Sequence, residues 1–330
     1  MLRSTLVTRL ADSVIDPLAV LLSPLLPRFR HPGKRALMAL GQMPACGIAL
    51  KKDLARSMLA ARWREALLLA RARALTARRL PSFIDSTVHI RGAQVLEDCL
   101  ATRRPLVFAT PHFGACVLGC LALARSLQWQ RRLALLYQRD PRNAGLRSLF
   151  LRADASAALL SGTAGIVRAL QILGEGGAVA TMPDVFDDIA DTVAIPLFGR
   201  WLRVASGTAY LAARSQALIV PGYVRSERGP GVCVELARPI DARDCASGDV
   251  RQTIFALMRR LFAEFESGLR HAPEHWLYWE RLPRVSTPLG IPVTAEAFDV
   301  TVDIAMRCRA FPGLLRRVPE LRHLVGARAP

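Results

Sequence analysis

Residues 105–114 read PLVFATPHFG, an apolar run that ends in a histidine, an aromatic residue and a glycine. The run PLVFAT has the pattern of a strand buried on both faces, which is typical of a parallel sheet. His112 follows the carboxyl end of this strand, and ligand sites in such sheets form outside the carboxyl ends of the strands. Two interpretations of His112 are open at this point, a catalytic base and a buried histidine of the core.

Strands and helices alternate along the chain after residue 87. A helix is predicted near GAQVLEDCLA, and a strand pattern ends at residue 137. A helix around GIVRALQIL then precedes a strand that ends on Asp184, and the later segments are TVAIPLFG, the helix SGTAYLAARSQ, and the strands ALIVPGYVR and GVCVELARPI. This alternation predicts an α/β fold with a mostly parallel central sheet flanked by helices. Like His112, Asp184 and Arg225 stand at the ends of predicted strands.

The composition indicates a folded and strongly basic protein. A chain of 330 residues with 52% hydrophobic residues can bury a sizeable core. The formal net charge of +18 and the pI near 11.0 favour anionic partners, namely nucleic acid, acidic lipid head groups or acidic carrier proteins. Only 6% of the residues are aromatic, and no run alternates Phe or Tyr with Lys or Arg. We therefore expect no nucleic-acid partner.

Several cofactor and catalytic signatures are missing from the sequence. GEGG at 174–177 is not the dinucleotide fingerprint, and neither a P-loop nor a G-x-S-x-G elbow occurs. The seven cysteines include no C-x-x-C pair of the kind that holds zinc. We expect no bound cofactor and no metal site, and we expect Cys116 and Cys120 to pack in the core from one helix.

The chain divides into three predicted regions. Residues 1–80 form a basic helical, membrane-associated region, in which charges and prolines interrupt the apolar residues 1–27. This pattern favours a helix that lies on an anionic bilayer surface over one that crosses the bilayer. The alternative is a core helix followed by a solvated loop. Residues 50–80 predict one or two basic amphipathic helices. Residues 81–285 form the α/β domain, and residues 286–330 form a C-terminal helical extension.

Six short motifs follow one another along the chain: HFG at 112–114, MPD at 182–184, IPLFG at 195–199, SGTAYLA at 206–212, IVPGYVR at 219–225 and PEHWLYWER at 273–281. Their order and spacing resemble the bacterial lipid A biosynthesis acyltransferases. These are the lauroyl and myristoyl transferases of the wider lysophospholipid acyltransferase superfamily. The resemblance covers residues 80–285.

The resemblance implies an acyltransferase that acts at a membrane. Such an enzyme transfers a fatty acyl group from an acyl carrier protein or acyl-CoA to a hydroxyl or amine of an amphiphilic acceptor. It is a peripheral protein at the cytoplasmic face of the inner membrane. His112 would be the general base, and neutral imidazole suits that role near neutral pH. The acceptor would be a lipid A precursor, or, because this chain departs from the family pattern at the two places described below, a specialised acceptor such as a secondary-metabolite intermediate.

The resemblance also suggests where substrates bind. Tyr137, Arg139 and Asn143 loosely match the family's Tyr-Arg-Pro-x-x-Asn stretch, with one residue too many between Tyr and Asn. The residues themselves add two candidates, each with an alternative. Phe198 is either a wall of an acyl groove or a core residue, and Arg225 is either a contact for a phosphate or the carrier or a solvent-exposed strand end. The predicted substrate-binding residues are Phe113, Gly114, Arg139, Asn143, Phe198, Gly199 and Arg225.

One position departs from the family pattern. The family places Asp or Glu five residues after the histidine, and this chain has Val117 there. In one interpretation Asp184 supplies the carboxylate from a neighbouring strand end, with Asp187 and Asp188 as further candidates. In a second, His112 acts alone or with a backbone carbonyl. In a third, acyl transfer is lost and the protein only binds a lipid or a carrier-bound chain. Asp184 could also serve merely as a cap for the next segment.

Overall fold

The computed structural model describes residues 32–41, 43, 47–48, 54–127, 130–137, 145–153, 157–186, 192–227 and 231–288. Some of the predictions concern residues outside these ranges. They are the surface helix of residues 1–27, most of the C-terminal extension, and the candidate residues Arg139, Asn143, Asp187 and Asp188.

A central sheet forms the middle of the fold. Its strands are β1 (Val88–Arg91), β2 (Leu106–Ala109), β3 (Leu133–Leu136), β4 (Ala157–Leu160), β5 (Ala178–Thr181), β8 (Leu218–Ser226), β9 (Val232–Leu236) and β10 (Ile240–Asp241). The strand order is β1-β9-β8-β2-β5-β3-β4, and β10 pairs with β8. Among the described residues, β9 and β10 run antiparallel to β8 and the other pairings of this sheet are parallel. The prediction of a mostly parallel sheet is confirmed.

Helices cover both faces of this sheet. They are α1 (Pro32–Gly41), α2 (Leu54–Ala74), α3 (Leu80–Thr87), α4 (Ala93–Ala101), α5 (Cys116–Leu127), α6 (Leu146–Arg152), α7 (Gly162–Gly174), α8 (Gly207–Ser215), α9 (Val250–His271) and α10 (Leu282–Val285). In β2, Leu106 and Phe108 pack in one apolar cluster with side chains of α3 to α6, whereas Val107 and Ala109 pack in another with side chains of α7 to α9. The strand is therefore buried on both faces, as the run PLVFAT predicts.

Of the basic residues 50–80, the structure describes residues 54–80, which contain one long helix, α2, and the first residue of α3. Leu54 and Met58, near the start of α2, pack in the same apolar cluster as Val107. Leu68 and Ala72, near its end, pack in the cluster on the other face of the sheet. The buried residues of α2 thus join both clusters. In the part of the chain that the structure describes, no helix combines the length and the apolar character needed to cross a membrane.

A second, smaller sheet lies outside the central one. It contains β6 (Thr192–Leu197), β7 (Arg200–Ala205) and β11 (Ser286–Pro288). Phe198 and Gly199 join β6 to β7 with φ values of +51° and +69°. Two central residues with positive φ are the mark of the tight hairpin turn that matches strand twist, and glycine takes this conformation without strain. The positive φ required by this turn therefore accounts for glycine at position 199. The strand β11 begins the region predicted as a helical extension.

The order of the central strands places two polar residues side by side. β2 and β5 are parallel neighbours, and Ala109 is paired with Thr181 at their carboxyl ends. His112 and Asp184 each follow these paired residues by three positions. The segments that follow β2 and β5 leave the sheet at the same edge and in the same direction. The His112 and Asp184 side chains can therefore meet just outside the sheet.

Candidate active site

His112 and Asp184 are in direct contact. The Nδ1 atom of His112 lies 2.7 Å from Oδ1 of Asp184, and the backbone N–H of His112 donates to Oδ2 at 2.8 Å. Asp184 is 1% exposed, and the His112 side chain is 23% exposed. An ionised carboxylate only accepts hydrogen bonds, so Nδ1 carries the ring proton and Nε2 keeps a free lone pair. This is the tautomer that a general base requires.

A third donor completes the surroundings of Asp184. The indole N–H of Trp276 donates to Oδ2 at 2.9 Å, and Trp276 is itself buried. Burial of a carboxylate costs free energy unless hydrogen bonds compensate for lost water. The His112 N–H and ring and the Trp276 N–H supply those bonds. Asp184 is therefore held by the site itself, and among the described contacts it does not act as a helix cap.

Trp276 belongs to the segment of residues 273–282, which lies antiparallel to residues 112–114. Phe113 and Trp276 form an isolated antiparallel bridge. The N–H of Leu277 donates to the His112 carbonyl, and the N–H of Gly114 donates to the carbonyl of His275, both at 3.0 Å. The backbone on both sides of His112 is thus fixed by the 273–282 segment.

An aromatic side chain of the same segment contacts the imidazole. The rings of Tyr278 and His112 are 4.8 Å apart between centroids, and Tyr278 also packs edge-on against Phe186 at 5.3 Å. The Arg281 guanidinium lies 5.0 Å from the centroid of the Tyr278 ring. The imidazole of His112 thus contacts an aromatic ring as well as the Asp184 carboxylate.

Helix α2 holds the 273–282 segment from the outside. Arg62 donates to the carbonyl of Leu277 at 2.8 Å, and Glu65 Oε1 lies 3.3 Å from Nδ1 of His275. Both members of the Glu65–His275 pair are largely buried. Burial raises the pKa of the Glu65 carboxyl above its ordinary value, and the hydrogen bond with His275 opposes this rise. A second histidine–carboxylate pair thus lies next to the Phe113–Trp276 bridge.

Two of the predicted substrate-binding residues belong to this framework. Phe113 is fully buried, and its ring packs on Tyr223 at 5.8 Å and on His275 at 5.5 Å. Gly114 has a φ of +58°, and a Cβ atom there would lie 1.8 Å from the carbonyl oxygen of Val224. Only glycine fits this close approach of two backbones. The described contacts of both residues are with the protein interior.

Phe198 and Arg225 also have partners within the protein. Phe198 has no exposed surface, and its ring lies 5.1 Å from that of Trp279 between centroids. A substrate would reach the Phe198 ring only if the core repacked, so the groove predicted at Phe198 has no counterpart among the described residues. The Arg225 guanidinium forms an ion pair with Glu235 on β9. A phosphate or carrier bound there would have to compete with that pair.

The cysteines closest to the site are poor nucleophiles. Burial raises the pKa of the Cys116 thiol, and it raises the pKa of Cys120 to about 12. The thiolate is the reactive form of cysteine, so neither side chain is activated at neutral pH. Cys120 packs in the apolar cluster next to α5, as predicted, whereas the Cys116 residue is only partly buried and belongs to neither cluster.

The contributions of Trp276, Tyr278 and the α2 side chains are not evident from the sequence. PEHWLYWER marks the segment, but a motif does not reveal which strand end it covers, so its residues have no predicted roles. A signal for Glu65 does exist, since it is the only acidic residue among the five arginines of α2. A single carboxylate in an otherwise basic helix is a candidate for a buried ion pair with another part of the chain.

Comparison with known proteins identifies the family of the chain. A family model described as "Bacterial lipid A biosynthesis acyltransferase" matches residues 30–283, more than three quarters of the chain. This range starts well before residue 80 and includes α1 and α2, the second of which contributes to the site. A comparison with curated proteins finds no match. The extent of the family match shows that the chain belongs to the bacterial lipid A biosynthesis acyltransferase family.

Proposed function

We propose that the protein transfers a fatty acyl group from an acyl thioester to a hydroxyl or amine of an amphiphilic acceptor, with His112 as the general base. The observation that carries this proposal is the 2.7 Å contact between His112 Nδ1 and the buried Asp184 carboxylate. Family membership supports the reaction class. The contact supports the assignment of the base.

The reaction needs little from the protein beyond a base and correct positioning. The acceptor oxygen or nitrogen attacks the thioester carbonyl carbon while its proton moves to Nε2 of His112. The carbon–sulfur bond then breaks, and the departing thiolate takes the proton back from the imidazolium. A thioester is already an activated donor, so no covalent enzyme intermediate is needed.

Asp184 has two roles in this scheme. It fixes the imidazole in the tautomer with a free Nε2, and its negative charge stabilises the imidazolium that forms during transfer. Because the Asp184 carboxylate is buried and held by three hydrogen bonds, its charge acts on the imidazole ring with little screening by water. Asp184 thereby replaces the family acid that is missing at Val117, in agreement with the first of the three interpretations of the sequence.

The donor, acceptor and location are further parts of the proposal. The net charge of +18 supports an acidic donor, either acyl carrier protein or acyl-CoA, and an anionic membrane surface. We infer peripheral association with the cytoplasmic face of the inner membrane. A lipid A precursor and a secondary-metabolite intermediate are both acceptors that this chemistry accommodates.

Val117 favours one alternative, a protein that binds an acyl chain or carrier without catalysis. In that case the His112–Asp184 pair would remain from the family site without a catalytic role. The alternative and the proposal differ in turnover, because a binding protein retains its thioester intact whatever acceptor is supplied.

The decisive experiment is a single-turnover assay with acyl-carrier and acyl-CoA thioesters and a panel of lipid and amine acceptors. Wild type should consume thioester only when an acceptor is present. His112→Ala should slow transfer by roughly 10²–10⁴-fold, and Asp184→Asn by more than about tenfold. His271→Ala, which removes an exposed histidine at the end of α9, is the control and should keep full activity.

Full activity of His112→Ala would refute the proposed mechanism. Tight, saturable binding of a thioester without transfer to any acceptor would support the binding protein instead. An unchanged rate in Asp184→Asn would mean that His112 works without an orienting acid.

A further inference from the structure

A histidine, a glutamate and a cysteine lie together at the edge of the central sheet. His89 is in β1, Cys233 is in β9, and Glu227 directly follows β8. One ligand atom of each, an imidazole nitrogen, a carboxylate oxygen and Sγ, lies within 4.8 Å of the others. These three residues, called the edge cluster below, include none of the residues that contact His112.

The strand register explains why the cluster forms. His89 and Cys233 are direct partners in the parallel pairing of β1 with β9. Side chains of paired residues project from the same face of a sheet, so the imidazole and the thiol are neighbours. The chain after β8 brings Glu227 to the same place, where Nε2 of His89 is 3.3 Å from Oε2 of Glu227.

These separations are close to what a tetrahedral metal ion needs. With the usual zinc–nitrogen and zinc–oxygen bond lengths, two such ligands in a tetrahedron are about 3.4 Å apart. The observed 3.3 Å between His89 and Glu227 meets this value without movement. A zinc-bound sulfur lies about 3.6 Å from a nitrogen ligand. The Cys233 sulfur, within 4.8 Å, would need a shift of at most about 1.2 Å to reach that distance.

The carboxylate is also held as a metal ligand usually is. Arg91 donates to Oε1 of Glu227 at 3.4 Å, which leaves Oε2 directed at His89. Ligating carboxylates are commonly fixed by hydrogen bonds of this kind from outside the ligand set. A second cation, Arg225, stands opposite Cys233 on β8, but Glu235 pairs with it and balances its charge.

We propose that the edge cluster is a binding site for a zinc-like divalent ion, with His89, Glu227 and Cys233 as ligands. A thiolate and an imidazole select borderline-soft transition metals over Mg²⁺ or Ca²⁺, which prefer oxygen ligands. When the ion binds, the Cys233 thiol releases its proton to solvent, and the thiolate and carboxylate together neutralise the two positive charges. The proposal departs from the sequence-based expectation of no metal site, because cysteine spacing does not detect ligands that come from two different strands and from the residue that follows a third.

Solvent exposure fits entry of the ion from the surface. The side chains of His89 and Glu227 are 51% and 38% exposed, whereas Cys233 is buried beneath them. The ion would bind between the Cys233 sulfur below and the His89 and Glu227 side chains above, and water would be its fourth ligand. It would tie β1, which stands at the end of the strand order among the described residues, to β9 and to the end of β8.

The test is metal titration of the full-length protein with Co²⁺ and Zn²⁺, with cobalt as a spectroscopic probe. We expect one equivalent of Co²⁺ to produce a thiolate-to-cobalt charge-transfer band that Zn²⁺ removes. His89→Ala should weaken binding by at least about a hundredfold, since even residues outside the ligand set contribute 10–100-fold. Cys233→Ser should abolish the band.

Two matched controls separate this site from other metal-binding groups. His271→Ala removes another exposed histidine, and Cys245→Ser removes another buried cysteine; both should bind Co²⁺ as wild type does. His89 is half-exposed, so its removal leaves the fold intact even where Cys233→Ser does not. Absence of the charge-transfer band, or an equal Co²⁺ affinity in wild type and His89→Ala, would overturn the proposal. Neither outcome depends on acyl transfer.

Discussion

The indole N–H of Trp276 donates to Oδ2 of Asp184 at 2.9 Å, across 92 residues of sequence. The same oxygen accepts the backbone N–H of His112, while Oδ1 faces the imidazole. The two carboxylate oxygens thus have different roles, because Oδ2 anchors the group and Oδ1 orients the base. Among the described hydrogen bonds, none joins Trp276 to His112. Trp276 therefore acts on the proposed reaction through Asp184.

We expect Trp276→Phe to slow acyl transfer by about tenfold or more, because a hydrogen bond to a charged group contributes about 1.5–3 kcal/mol. The remaining carboxylate would have more freedom to rotate away from the imidazole. The loss should appear in kcat rather than in KM, since Trp276 positions a group that acts in the transition state. Steady-state kinetics with the best donor and acceptor pair would measure it.

Trp279→Phe is the matched control for this change. Trp279 is also fully buried, but its indole N–H donates to the carbonyl of Pro273 at 2.6 Å and not to Asp184. Both variants should lose similar stability in thermal unfolding. If kcat falls equally in the two, Trp276 has no specific effect on Asp184 and contributes only to packing.

Gly114→Ala should destabilise the protein by about 3 kcal/mol or more, because the new Cβ would clash with a backbone carbonyl and the residue has a left-handed backbone. An ideal Cβ at this position would lie 1.8 Å from the Val224 oxygen. Denaturant unfolding would measure the change. Gly207→Ala, whose Cβ would meet nothing within 4 Å, should differ from wild type by less than about 1 kcal/mol. Equal effects of the two substitutions would contradict this explanation.

The sheet and the two central residues of the site could be predicted because their signals are local. PLVFAT and AVAT are short apolar runs, and each is followed within three residues by the polar residue that matters, His112 or Asp184. Because the family acid is missing at Val117, the sequence offers Asp184 as one candidate for the carboxylate, beside Asp187 and Asp188. The contact of Asp184 with the imidazole then requires only that β2 and β5 be neighbours.

Other contacts could not be predicted because they depend on distant parts of the chain. Glu65 reaches His275 across 210 residues, and Arg62 reaches the Leu277 carbonyl across 215. No pattern within α2 shows which segment it will cover. Phe198 is ambiguous for a different reason, since a buried turn residue and a groove residue have the same apolar character in sequence.

Glu65→Gln should change how stability depends on pH. The folded-state pKa of Glu65 lies above its ordinary value because the carboxyl is buried. This group therefore stabilises the fold at low pH and loses that contribution as pH rises through the folded-state pKa. Glutamine does not titrate, so the stability of the variant relative to wild type should improve as the pH rises from the ordinary glutamate pKa of about 4.3 through the raised folded-state pKa.

Thermal unfolding of both proteins across this pH range would measure the difference. Glu264→Gln, on α9, is the control, because the described hydrogen bonds of Glu264 are with Tyr223 and not with the 273–282 segment. Parallel pH profiles for wild type and Glu65→Gln would show that the Glu65 carboxyl is not the buried, titrating group described above.

Val117→Asp restores the family acid and tests whether Asp184 has taken its place. Val117 packs against the apolar cluster beside α5, whereas Trp276, which holds Asp184, belongs to the cluster on the other face. Because Asp184 already occupies Nδ1 of His112, we expect no gain in single-turnover rate and a loss of about 1–3 kcal/mol from the charge placed on apolar neighbours. Combined with Asp184→Asn, Val117→Asp should not restore transfer. A recovered rate in the double variant would mean that the imidazole can turn to the family position and that Asp184 is only one of two usable acids.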